Sequence, residues 1–270
     1  MELLVVDQST TSATEELLRS QFIDERLRYV RSCAVGKGAA LNEGLMRAAS
    51  EAVVCIDDDC EVGHGWIDGM AETLRSQPEV GAVFSSVVPG PFDPTKGYTP
   101  SRVWSQDTVL RSVGDARSGL GLGAGMALRR DAVIVLGGMD ELLGPGGRYP
   151  SCDDWDIELR LLLRGWLVVH SATLKVVHHG FRTFADGREH TRRDWVAIGA
   201  TFAKMSKSGR AQPIYLAMRI VSKDAIMPLL VDAARTRRPS GVIRLTAFCR
   251  GFVLGLLAPV DRATMRFKPR

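Results

Sequence analysis

No two of the five cysteines (Cys33, Cys55, Cys60, Cys152 and Cys249) stand at CxxC spacing, and an odd number gives no even disulfide framework. Cys55 and Cys60 flank an acidic triplet too loosely for a zinc motif, so reduced thiols in a cytosolic protein are expected. No apolar run reaches the roughly 20 residues that span a bilayer. Met1 leads directly into Glu2 and an apolar strand, without the pattern of a secretory leader. The basic residues are not interleaved with aromatics and no nucleic-acid module is recognisable, which excludes nucleic acid as the expected partner. Gly36-Lys37-Gly38 lacks the upstream glycine and the following Ser or Thr of a P-loop. Internal repeats and low-complexity segments are absent as well.

What is present is ordinary for a soluble globular chain: 270 residues, 45% of them hydrophobic and 24% charged. That length supports one large core, or a domain with an appendage. The formal net charge of +4 conceals an asymmetry. From Lys204 onward there are 14 Lys or Arg against three Asp, a net of +11, whereas the remainder carries 21 basic and 28 acidic residues, a net of −7. A basic tail on an acidic body points to an anionic surface as the partner of the tail.

The pattern along the chain alternates strand and helix. Glu2–Asp7, Leu27–Val30, Val53–Ile56 and Val80–Val88 read as apolar strands. Helices are expected from Thr14, over Ala39–Ser50 and over Trp66–Ser76, the last stopped by Pro78. This order implies an α/β fold with a doubly wound, mostly parallel sheet. From Pro89 to Leu120 regularity is lost, and so long a loop in a compact domain is usually functional or mobile. A strand of very small residues (Gly121–Arg130), a helix from Asp153 and two strands (Leu167–His170 and Leu174–His179) follow. Beyond Thr191 the pattern is helical and basic.

The stretch Val53-Val54-Cys55-Ile56-Asp57-Asp58-Asp59 carries the most chemistry. Three adjacent carboxylates repel one another unless a cation or hydrogen-bond donors compensate them. In open α/β sheets ligands bind beyond the carboxyl ends of strands, where these acids sit. On an extended backbone Asp57 and Asp59 share a side, so the pair can hold one hard divalent cation with its phosphate ligands. A solvated acidic turn is the alternative.

Several ordered blocks resemble family 2 glycosyltransferases of the GT-A fold. They are Val5-Val6-Asp7, Gly36–Gly44, Asp57-Asp58-Asp59, Gly125–Arg130, Gly137-Gly138-Met139-Asp140-Glu141, Asp153–Arg160 and Val176-Val177-His178-His179. The resemblance implies that Asp7 contacts the nucleobase and that Lys37, Asp57 and Asp58 face the nucleotide-sugar. It implies that Asp59 binds a divalent metal, Mn²⁺ or Mg²⁺, and that Asp154 is the catalytic base. Asp153 stands where Glu is usual, and His178 falls where some members supply a metal ligand, with His179 its rival. Asp156 joins these as a further candidate. Arg192 and Arg193 vaguely resemble part of the Gln-x-x-Arg-Trp motif of processive members and are read as weak phosphate contacts or a surface helix face.

The implied activity is a nonprocessive, inverting, metal-assisted transfer of sugar from a nucleoside-diphosphate sugar to a carbohydrate or lipid-linked acceptor, of the kind used for cell-envelope polysaccharide. A nucleotidyltransferase of similar fold, a glycosidase and an inactive transferase-like scaffold are the rivals. Residues 1–190 are expected to form the GT-A catalytic domain and 191–270 a basic helical region. That region either lies on the inner face of the cytoplasmic membrane or packs on the body. Family members usually begin with another strand and helix before the strand ending at Asp7, so an N-terminally shortened version of the family domain is expected.

Overall fold

Apolar runs of about five residues become strands here, and runs of 3.6-residue periodicity become helices. The computed structural model describes residues 1–234 and 241–269; residues 235–240 and 270 of the basic C-terminal region lie outside the described residues. The chain opens with β1 (Leu3–Asp7), α1 (Ala13–Gln21), β2 (Leu27–Arg31), α2 (Lys37–Arg47) and β3 (Ala52–Ile56). It continues through β4 (Cys60–Val62), α3 (Trp66–Ser76), β5 (Val80–Pro89), β6 (Gly97–Tyr98), β7 (Thr108–Leu110), β8 (Gly125–Arg129) and α4 (Arg130–Val135). After α5 (Asp153–Leu163), β9 (Leu167–His178) and β10 (Arg182–Thr183) come the helices α6 (Phe184–Ser206), α7 (Gln212–Val221), α8 (Met227–Ala234) and α9 (Gly241–Leu257). A 3₁₀ segment, Val113–Ser118, precedes β8, and a π-helical turn, Ser222–Ile226, joins α7 to α8.

The main sheet has the order β3-β8-β5-β9-β4, and β7 also pairs with β9. Central β5 is buried at Val80, Ala82, Val83 and Phe84, as its unbroken apolar run requires. Trp66, Met70 and Leu74, one helical turn apart, bury one face of α3 with Val80, Val83 and Ala127. The α/β layering is that expected, but strand directions are more mixed than a mostly parallel sheet. β5–β9 and β1–β2 run parallel, whereas β3–β8, β5–β8, β4–β9 and β7–β9 run antiparallel. The long segment before β8 is not a helical crossover, so nothing forces that strand to enter the sheet in parallel sense.

Two further expectations need correction. The two strands foreseen around Ser171 are one, β9, whose register against β5 shifts between Ser85/Ser86 and Ser171/Lys175. The small-residue strand begins at Gly125 rather than Gly121. β1 and β2 form a separate two-stranded sheet, and among the described residues no ladder joins it to β3. The residue-190 boundary falls inside α6, whose buried residues Trp195, Ala197 and Phe202 share one hydrophobic cluster with Phe84 and Leu128 of the sheet. α9 packs along α6, and Phe267 near the end of the chain belongs to the same cluster.

Candidate active site

Antiparallel pairing of β3 with β8 places Ile56 opposite Gly125, so the acidic triplet meets the segment that leads into β8. The Asp57 amide donates to Ala124 O at 3.4 Å. The triplet does not continue as extended backbone. Asp58 and Asp59 turn the chain into β4, and the three acids part company. Asp57 pairs with Lys37 (Oδ1 to Nζ, 2.5 Å), Asp58 is exposed, and Asp59 turns to His178 (Oδ2 to Nε2, 3.3 Å). The β4–β9 ladder explains the last contact, because it sets Cys60 opposite His178.

His178 Nδ1 lies 3.0 Å from the carbonyl of Pro100. A carbonyl only accepts, so Nδ1 carries a proton and Nε2 is the ring atom that faces the Asp59 carboxylate. A histidine that donates its other N–H to a carbonyl is the usual metal-site arrangement. The potential donor atoms of Asp59, Cys60 and His178 lie within 4.8 Å of one another. Burial, with Asp57 and Asp59 nearby, pushes the Cys60 thiol up to about 12, leaving it a poor donor for a hard cation. The space is kept open by Gly180. A Cβ there would stand 2.6 Å from His178 Nε2 and 2.8 Å from Asp59 Oδ2. His179 turns instead to exposed Glu61, at 3.3 Å, so of the two histidines His178 faces the acid.

The second cluster sits at the start of α5. Asp154 accepts from the amides of Gly123 (2.9 Å) and Trp155 (2.7 Å), and one turn on, Glu158 accepts from Gly121 at 2.8 Å. The spacings match: four helical residues rise about 6 Å and two extended residues span about 6.6 Å, so one helix face grips the loop at both glycines. A side chain at Gly123 would be tight, since a Cβ would lie 3.2 Å from that of Asp154. Burial, followed by the neighbouring Asp153, pushes the Asp154 carboxyl up to about 7, against the pull of the Gly123 amide and Lys37. Burial also raises Asp153, whose Oδ2 has no hydrogen-bond partner. Burial opposes the charge on Lys37, but Asp153, Asp57 and Asp154 together hold it firmly protonated. One ammonium thus ties the acid at the end of β3 to the acids that open α5.

Asp7 ends β1 held by the Ser9 amide and hydroxyl and by the Tyr29 hydroxyl, each at 2.8 Å. Burial works against ionisation there, but these donors outweigh it and keep the carboxyl below its usual range. Asn42 of α2 bonds the Met139 amide and carbonyl and Glu141, so the α2 block and the Gly137–Glu141 block hold each other. Asp156 is elsewhere. It is fully buried and paired with Arg160 (2.8 Å) and Lys204 (2.6 Å). Arg192 pairs with exposed Glu189, and Arg193 is exposed. Glu158, Gly123 and Gly180 were not singled out from the sequence. Glu158 carried a signal, its i,i+4 spacing from Asp154, and Gly123 lay in the run of very small residues that allows close approach, but Gly180 carried none.

The family described as "Glycosyl transferase family 2" matches residues 1–136, half of the chain. This protein is a family 2 glycosyltransferase. Among solved structures, the transferase resembles a mannosyltransferase from Pyrobaculum calidifontis, in complex with GDP-Man and Mn²⁺. That pair shares 20% identity over 95% of this chain and 78% of the other, with a TM-score of 0.63. It also resembles S. aureus TarS, residues 1–349, at 13% identity over 93% and 71% of the two chains, with a TM-score of 0.58. At such identities the likeness establishes the fold, GT-A. No curated protein sequence matches this transferase.

Proposed function

We propose that this glycosyltransferase moves a sugar from a nucleoside-diphosphate donor to an acceptor hydroxyl by a single inverting displacement, with Asp154 as base. The observation that carries the reading is Lys37, ion-paired with Asp57 and close enough to Asp153 and Asp154 for their charges to act on it. It sets a carboxyl raised to about 7 beside the acids of the donor side. Such a carboxyl is about half ionised at neutral pH and basic enough, where ionised, to take a hydroxyl proton. Asp154 receives the acceptor proton while the Gly123 and Trp155 amides hold its orientation. Lys37 neutralises charge between the two clusters. Asp7 and Asp57 orient the nucleoside, with exposed Asp58 at the ribose. Asp59 and His178 hold a divalent cation, which when bound neutralises the departing diphosphate. The imidazole favours Mn²⁺ over Mg²⁺, which prefers all-oxygen shells. The GDP-Man and Mn²⁺ of the Pyrobaculum enzyme support a donor and metal of this class.

Among the described residues no helix is long and apolar enough to cross a membrane. We propose instead that the α7–α8 face rests on the anionic inner surface of the cytoplasmic membrane. Tyr215, Met218, Met227 and Leu230 are more than half exposed there, beside Arg219 and Lys223.

The test of the donor reading is titration of GDP and UDP with and without Mn²⁺. One diphosphate should bind metal-dependently, and Asp59→Ala should abolish that dependence. Gly180→Ala should weaken it at least tenfold by intruding between the two ligands. Metal-independent binding in all three proteins would remove the metal assignment, and failure of the parent to bind either diphosphate would remove the donor assignment.

A further inference from the structure

Beside the candidate base lies a cleft that the donor chemistry does not use. A pocket of about 290 Å³ adjoins a narrower one of about 60 Å³, and Trp155, Ile220 and Asp224 line both. Trp155 directly follows Asp154 and donates its amide to that carboxylate. At the narrow end Gly119 stands two residues before Gly121, the glycine held by Glu158. At the wide end Asp194 hydrogen-bonds Ser151, in the turn before α5. The cleft therefore flanks Trp155, the sequence neighbour of the base, and reaches the segments that lead to Gly121 and to α5.

Its charge is one-sided. Arg102, Arg117, Arg219 and Lys223 line the narrow part, and none of them has an ion-pair partner among the described residues. Arg102 Nε is buried without a hydrogen-bond partner, and its guanidinium lies 5.8 Å from the centre of the Trp104 ring. Asp194, one of two carboxylates on the walls, faces Arg182 at 3.9 Å. The other, Asp224, offers its carbonyl to Arg244 at 2.7 Å. Asp224 is the one acid lining the narrow part, against four basic side chains, and such an excess of guanidinium and ammonium groups is what a phosphate requires. A partly exposed indole beside them offers a flat face for a sugar ring.

We propose that this cleft is the acceptor site and that the acceptor bears a phosphate, its sugar against Trp155 and its phosphate among Arg102, Arg219 and Lys223. The inference rests on the transferase reading above and names the class of its second substrate. A phosphate on a free sugar and a phosphate on a lipid present the same group to these cations.

The experiment titrates glucose 1-phosphate, and methyl glucoside as the uncharged control, into protein saturated with GDP or UDP and Mn²⁺ so that the donor site is occupied. Arg219→Ala and Lys223→Ala alter exposed side chains, so both variants should fold. Each should weaken glucose 1-phosphate binding about tenfold while leaving diphosphate affinity unchanged, and added salt should weaken the parent's binding. Methyl glucoside should bind far more weakly and be indifferent to both variants. Competition by phosphatidylcholine vesicles containing phosphatidic acid, but not by phosphatidylcholine alone, places the phosphate on a lipid. Absence of that competition places it on a free acceptor. Equal binding of glucose 1-phosphate by parent and variants, or equal binding of the two sugars, overturns the proposal. Failure of the parent to bind any diphosphate sinks the donor reading, and the cleft is still scored by the same variants without diphosphate.

Discussion

Asp154 illustrates how far one side chain can be tuned by its neighbours. An ordinary aspartate would be a feeble base at neutral pH, whereas burial beside Asp153 brings this one to about 7. Its ionised form is disfavoured in the folded chain relative to the unfolded one. It therefore contributes stability below about pH 4 that is lost as pH rises toward 7. Asp154→Asn removes that liability while keeping the shape and one acceptor oxygen. Transfer should fall by about two to four orders of magnitude, with diphosphate binding unchanged and the melting temperature at pH 8 equal or higher. In the parent, kcat should rise with pH through about 7. A flat profile together with full activity in the Asn variant would leave Asp154 as a helix-start acid only.

At the scale of elements, the strands that could be read were those with unbroken apolar runs. Val80–Pro89 and Trp66–Ser76 fell where hydrophobic spacing and Pro78 put them. Elements made by partners rather than by propensity could not be read. β4 is three residues long and exists because β9 offers it an edge, yet it decides that Asp59 meets His178 rather than standing beside Asp57. Asp156 lies within a family block, and nothing local shows that Lys204, 48 residues later, turns it into a core ion pair. The acids of the site were legible because strand ends and helix starts mark them; the loop that joins them was not. α7 and α8 carry the membrane proposal. Met218→Asp with Leu230→Asp should abolish sedimentation with phosphatidylglycerol-containing vesicles at low salt without lowering the melting temperature. Undiminished sedimentation would remove this face from consideration.

The molecule as a whole is fastened by a buried charge cluster. Lys204 lies 2.5 Å from Asp140 and 2.6 Å from Asp156, Asp156 pairs with Arg160, and the Phe267 amide donates to Asp140 at 2.7 Å. All four charged side chains are essentially inaccessible. Burial alone would raise the Asp140 carboxyl, but Lys204 holds it below its usual range. Lys204→Met removes the cation that Asp140 and Asp156 share, leaving Arg160 on Asp156 and Asp140 without an ion pair, and should cost about 3–5 kcal/mol. In a chain of this size that lowers the melting temperature by about 10 °C, measurable by calorimetry. A shift below 2 °C would mean that the cluster contributes little.

That fastening also limits how the enzyme can be recombined. The sequence invites a chimera joined near residue 190, with a catalytic half from one relative and a basic tail from another. Such a junction would separate Asp140 and Asp156 from Lys204 and the Phe267 amide, and would cut α6 within its own length. The inheritable unit is the set of these residues, so tails are exchangeable between relatives only where both ends of the cluster travel together.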